Sequence, residues 1–169
     1  MNTSRRATPE EERLVTSFHE AGHLAVTHAS SYFGLLDPAV KIELNGPLAA
    51  ISGVTRIRDT REKEHHLPSG REYVRIALAG KDAEEEFLRR QTSAPRLIPD
   101  PEGANTDLRT VHATLAALGI EHEYEKLWRE VTELVEQNWD LIQRVAQMIS
   151  ASQHNEISRA AVLQILSAP

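Results

Sequence analysis

His19-Glu20-Ala21-Gly22-His23 constrains this chain more than any other five residues. Two histidines four positions apart share a face only where the backbone is helical, because positions i and i+4 then lie one turn apart. The flanking sequence is built for such a helix. Thr8-Pro9-Glu10-Glu11 is a strong start: Thr8 as the N-cap, Pro9 at the first helical position and Glu11 closing a capping box. Leu14, Val15, Phe18, Leu24 and Val26 recur at helical spacing, and no proline interrupts before Ser30. This pattern predicts a helix over 9–32. Gly22 costs that helix about 1 kcal/mol relative to alanine. With Ala21 and Ala25 it leaves a small-residue face, which another element can approach closely.

On such a helix both imidazoles can hold one metal ion, with Glu20 beside it to deprotonate a bound water. That is the core of a zinc hydrolase, most often a peptidase. A catalytic zinc takes three protein ligands and keeps one open position. Spacing alone does not name the third. The candidates are His28, His65, His66, Glu84, Glu85, Asp107, His112, His122 and His154. His28 is five residues past His23 and points off the shared face. His65 and His66 sit in a charged stretch, where solvated histidines are the ordinary finding. His122 and His154 follow helix ends and suit C-terminal capping or solvent. His112 falls within a helical pattern, where a single histidine is usually structural.

Composition closes off other chemistries. The 169 residues carry a net charge of −6, which argues against a nucleic-acid partner. There is no cysteine, so disulfides, thiolate ligands and a cysteine nucleophile are excluded. A metal must be held by His, Asp or Glu. The first residues lack the apolar run of a signal peptide, and no window approaches the roughly 20 apolar residues of a membrane span. The expectation is a cytoplasmic protein with no membrane association.

The chain reads as one domain over 9–169 after a flexible tail over 1–8. Val40-Lys41-Ile42-Glu43-Leu44 alternates as a strand does, and 51–57 can pair with it across Asn45-Gly46-Pro47 turn chemistry. This ribbon is the only β structure expected. A polar loop over 59–69 precedes a helix over 71–90, which Gly80 is expected to bend or break. Pro95, Pro99 and Pro101 mark a loop over 91–103. Further helices are expected over 105–118, stopped by Gly119, over 121–150 as one helix or two, and over 158–166 with Ser158 as N-cap. The fold class is mainly α with a small β-ribbon.

Five segments, in order, resemble the peptidase domain of the FtsH-type ATP-dependent zinc metalloproteases. His19-Glu20-Ala21-Gly22-His23 looks like that family's zinc motif. Residues 41–44 through Gly53-Val54-Thr55 are similar to the ribbon that follows it. Leu78-Ala79-Gly80-Lys81-Asp82-Ala83-Glu84-Glu85 resembles its Leu-Gly-Gly-Arg-Ala-Ala-Glu-Glu segment. Gly103-Ala104-Asn105-Thr106-Asp107-Leu108 resembles its Gly-Ala-Ser-Asn-Asp-Leu segment, and Asn138-Trp139-Asp140-Leu141-Ile142 a helix near its C-terminus. The resemblance implies an FtsH protease-domain-like helical array, one Zn2+ per chain and Asp107 as the third ligand. A carboxylate expected at a helix start is also favoured there by the helix dipole. Glu84 or Glu85 would accept the outer N–H of a ligating histidine, with Glu84 the better candidate.

The chain also departs from that family. Lys81 and Asp82 stand where its segment has Arg and Ala, and its Gly-Met-Ser loop is not recognisable after Leu118-Gly119. No Gly-x-x-x-x-Gly-Lys-Ser/Thr phosphate loop occurs, so no ATP site is expected. The reading is a zinc-dependent endopeptidase acting on unfolded or short polypeptides, with the edge of the 51–57 strand (Gly53, Val54, Thr55) as candidate substrate-binding backbone. The competing reading is a latent zinc-binding module used in assembly or with a separate ATPase. Beyond a polypeptide substrate, a separate ATPase or self-association are the partners considered. A set of two histidines and one carboxylate also occurs in non-haem iron sites; the two histidines flanking a glutamate in one helix favour zinc.

Overall fold

The computed structural model describes residues 8–45, 50–59, 67–91 and 101–167. The tail over 1–7, the Gly46-Pro47 turn, His65 and His66, and most of the 91–103 loop fall outside them. The described residues form six α-helices and a three-stranded antiparallel sheet, so the chain is mainly α with a small β component.

Helix α1 spans Pro9–Ala29. Its start follows the sequence: the Thr8 hydroxyl accepts from the Glu11 N–H, and the Glu11 carboxylate accepts from the Thr8 N–H at 2.8 Å. It ends three residues before position 32. Ser30 turns extended, and its Oγ accepts the N–H groups of Tyr32 and Phe33, which draws the chain out of the helix. Apolar and small residues from Val15 to Val26 are buried around most of the helix. Helix α2, Leu67–Arg90, lies against one side of α1, and α5, Trp139–Ala151, against another. Phe18 of α1 stacks between Phe87 of α2 and Trp139 of α5, with ring centroids 4.0 and 5.4 Å away, so one aromatic column ties three helices together.

Two glycines set the spacing of α1 against α2. A Cβ on Gly22 would collide with the Ala79 carbonyl oxygen and lie 2.8 Å from Ala83 Cβ. The expected close approach at Gly22 is therefore made by α2. Gly80 does not break α2, which runs unbroken from Leu67 to Arg90. Its missing side chain makes room for neighbours.

Helix α3 spans Pro101–Leu118, starting earlier than position 105, with Pro101 as its first residue. It ends at Gly119, whose φ of +67° suits glycine. The 121–150 segment is a short 3₁₀ turn, Glu121–Glu123, then α4, Tyr124–Gln137, and α5. The break falls at Asn138, whose Nδ2 donates to the Leu134 carbonyl at 2.8 Å. Helix α6, Arg159–Leu166, is capped by Ser158, whose hydroxyl accepts from the Ala161 N–H.

The sheet is larger than the sequence pattern suggested. Strand β1 spans Phe33–Asn45 and β2 spans Ala50–Asp59. A third strand, β3, Glu156–Ile157, pairs with β1 at Val40 and Lys41, giving the order β2-β1-β3. Two residues carry no readable alternation, so β3 left no sequence signal. The β1–β2 register shifts between Leu35 and Val40. There Arg56 Nη1 donates to the carbonyls of Asp37 and Pro38 at 3.2 and 3.4 Å, satisfying acceptors the ladder misses. The sheet packs on α1 through β2 and β1, and β2 is one of its two outer strands.

Candidate metal centre

The α1 turn from His19 to His23 faces α2 on one side and α3 on the other. His19 Nε2 lies 3.1 Å from His23 Nε2 and 2.9 Å from Asp107 Oδ2, and His23 Nε2 lies 3.3 Å from the same oxygen. Two nitrogens and one carboxylate oxygen thus converge on a single point. Two N or O ligands on a tetrahedral zinc, at bonds of about 2.0–2.1 Å, stand roughly 3.3–3.4 Å apart. The observed spacings approach that triangle, and the donor set suits a borderline divalent metal. His19, His23 and Asp107 therefore form a group able to hold a metal ion. The histidine side chains are 11% and 10% exposed, and Asp107 is the more exposed member of the group at 27%.

Each imidazole is oriented by its far nitrogen. His23 Nδ1–H donates to the Ile76 carbonyl of α2 at 2.6 Å. His19 Nδ1–H donates to Glu84 Oε2 at 3.1 Å. Both bonds leave Nε2 directed inward, where its lone pair serves a cation. Lys81 in turn holds Glu84 and Glu85, at 3.4 and 3.2 Å. Gly80 completes the packing: a Cβ there would strike His23 Nε2 and sit 2.8 Å from His19 Nε2.

The electrostatics describe a site that attracts positive charge. Burial opposes a charge on His19, but its hydrogen bonds to the Asp107 and Glu84 carboxylates and the field of Glu20 outweigh it, pushing its pKa up to about 10. Burial likewise opposes ionisation of Asp107, yet its bonds to His19 and His23 hold it far below the usual carboxylate range. A proton on His19 and a divalent cation are two answers to the same convergence of donors.

Glu20 is 2% exposed. Its carboxylate accepts from the Thr55 hydroxyl of β2 at 2.5 Å. Gly53 and Val54 precede Thr55 on the same outer strand.

The remaining candidates do not gather here. His28, His112, His122 and His154 are exposed, and His112 stacks on Tyr124 with ring centroids 5.1 Å apart. Glu85 is exposed and paired with Lys81. Asp107 lies in the second turn of α3, past the free N–H groups of its start, so the dipole argument for a carboxylate there does not apply. It stands there facing the histidine pair. Sequence reasoning missed the Ile76 carbonyl, and it named Thr55 only as strand backbone for substrate, not as a partner of Glu20. A backbone acceptor inside a helix has no side-chain signature, and Thr55 is one ordinary β-branched residue in a strand.

No helix among the described residues is long and apolar enough to cross a membrane. The chain matches no family model, and no curated protein matches it.

Proposed function

We propose that this chain is a zinc-dependent endopeptidase for unfolded or short polypeptides, with an FtsH peptidase-like arrangement. The observation that carries this reading is the triangle of His19, His23 and Asp107 with Glu20 on the same helical turn. The ordered sequence resemblance to the FtsH-type peptidases supports it. Zinc, when bound, supplies Lewis acidity that polarises a scissile carbonyl and acidifies water.

The chain's own groups supply the rest. His19 and His23 would hold the metal through Nε2, with their tautomers fixed by Glu84 and the Ile76 carbonyl. Asp107 Oδ2 would be the third ligand and lend negative charge. Glu20 takes a proton from the attacking water and passes it to the leaving amine nitrogen as the C–N bond breaks. An extended peptide adds to the open edge of β2 around Gly53, Val54 and Thr55 by main-chain hydrogen bonds. The 169 residues hold no phosphate loop, so the chain alone acts on substrates that need no unfolding.

A second reading is a latent zinc-binding module acting in assembly or beside a separate ATPase. The burial of Glu20 favours it, since a base 2% exposed must be reached through the metal opening. One experiment separates the two. Metal content is measured on wild type, Asp107→Ala and Glu20→Gln, beside cleavage of casein and an unfolded peptide. One zinc per chain, lost in Asp107→Ala and kept in Glu20→Gln, with cleavage abolished in both, is the expected result. Zinc bound without cleavage favours the latent module. No metal in wild type after zinc is supplied sinks both.

A further inference from the structure

We infer that Thr55 is the positioning residue for Glu20: its hydroxyl fixes the orientation of the carboxylate. The inference rests on the peptidase reading above. Thr55 Oγ1 lies 2.5 Å from Glu20 Oε2 and 3.3 Å from the Glu20 carbonyl oxygen. A hydroxyl has one proton to give, and the shorter contact is to the carboxylate. A hydroxyl donating to a carboxylate makes a charge-assisted bond, the stronger kind. That bond engages one lone pair of Oε2 and so fixes the rotation of the carboxylate.

The strand holds Thr55 firmly in this role. Thr55 pairs across β1 with Val40, which is fully buried and also paired to Ile157 of β3. Just beyond it the register shifts, and Arg56 ties the irregular stretch to the Asp37 and Pro38 carbonyls. Slippage of β2 by one residue would turn the Thr55 side chain to the other face and release Glu20. Glu20 is nearly fully buried, so water cannot replace a lost Thr55 hydroxyl freely. A glutamate has three rotatable side-chain bonds, and a base that wanders loses near-attack geometry. The strand proposed to receive substrate thus also carries the group that aims the base.

The test compares wild type, Thr55→Val and Thr55→Ser by steady-state kinetics on an unfolded peptide, with zinc content measured on each. The 13C resonance of the Glu20 carboxyl carbon is followed on the same three proteins. Thr55→Val keeps the shape and removes the donor. Its kcat is expected to fall roughly 10- to 100-fold, the size expected for a hydrogen bond to a charged group, with KM and zinc content little changed. The Glu20 resonance is expected to shift and broaden. Thr55→Ser is expected to restore both. Unchanged or increased kcat in Thr55→Val overturns the inference, and an increase would mean Thr55 masks the base. An unmoved Glu20 resonance in Thr55→Val also overturns it, whatever the activity. Failure of the peptidase reading looks different: wild type then cleaves nothing, which ends the kinetic role, while the resonance still decides whether Thr55 holds Glu20.

Discussion

Gly80 lies directly beneath His23: a single methyl group on its α-carbon would overlap the Nε2 and Cε1 atoms of that ring and press on His19 Nε2. The helix that braces the histidines thus gives up a side chain where the rings need room. Two forces compete at this position. Helix propensity favours alanine over glycine by about 1 kcal/mol. Steric overlap with two rings held by Ile76 and Glu84 costs about 1–3 kcal/mol and also turns the ligands. The overlap wins, because neither ring can retreat without breaking its outer hydrogen bond.

Gly80→Ala is therefore expected to lower the melting temperature and weaken zinc binding together. Calorimetric titration with zinc and a thermal melt check both. A variant more stable than wild type with unchanged zinc affinity would show that the rings yield easily.

Glu84 orients His19 from its outer nitrogen and is itself held by Lys81. Glu84→Ala is expected to lower zinc affinity by about 10- to 100-fold, the usual cost of losing such a partner. Glu84→Gln keeps an acceptor for His19 Nδ1–H and loses less. Competition against a chromogenic chelator gives the ranking wild type, Glu84→Gln, Glu84→Ala; any other order removes Glu84 from the orienting role.

Zinc should stabilise the fold, because its ligands come from α1 and α3 and the unfolded chain does not assemble them. At a free zinc concentration of 100 times Kd the gain is about 2.7 kcal/mol. Thermal melts with and without zinc are expected to separate for wild type and coincide for Asp107→Ala. Acidification should remove the gain, since the histidines must be deprotonated to bind. Coincident melts for wild type would remove the metal from the fold.

Asp82 yields a pH prediction away from the metal. Burial raises its carboxyl above the usual range; the Thr132 hydroxyl, donating at 2.8 Å, opposes this, and Glu85, Glu86 and Glu136 add to it. The folded state therefore holds the proton more tightly than the unfolded one. As pH rises through the unfolded value of about 4 and then the folded value, the unfolded chain ionises first and stability falls. The loss is complete once the pH has passed the folded value. Asp82→Asn keeps an acceptor for Thr132 without the charge. Its denaturation midpoint is expected to exceed that of wild type at pH 7, with the difference closing below about pH 4. A lower midpoint at pH 7 would show that the charge is well accommodated.

The sequence by itself determined the local parts of this protein. The capping box at Thr8, the helix carrying His19, Glu20 and His23, the Gly119 stop and the Ser158 cap all follow from neighbours a few residues apart. Gly22 also told that something packs closely there, because a costly residue inside a helix needs a reason. What the residues alone left open was every relation between distant segments. Nine side chains were candidates to complete the histidine pair, and only the packing of α3 on α2 puts Asp107 against it. Gly80 read as a break and is a seat for two rings, since a missing side chain looks the same in either case. The hydroxyl on Glu20 and the carbonyl under His23 come from β2 and α2. Periodicity records which face of a segment is apolar; it does not record which atom of another segment that face will meet.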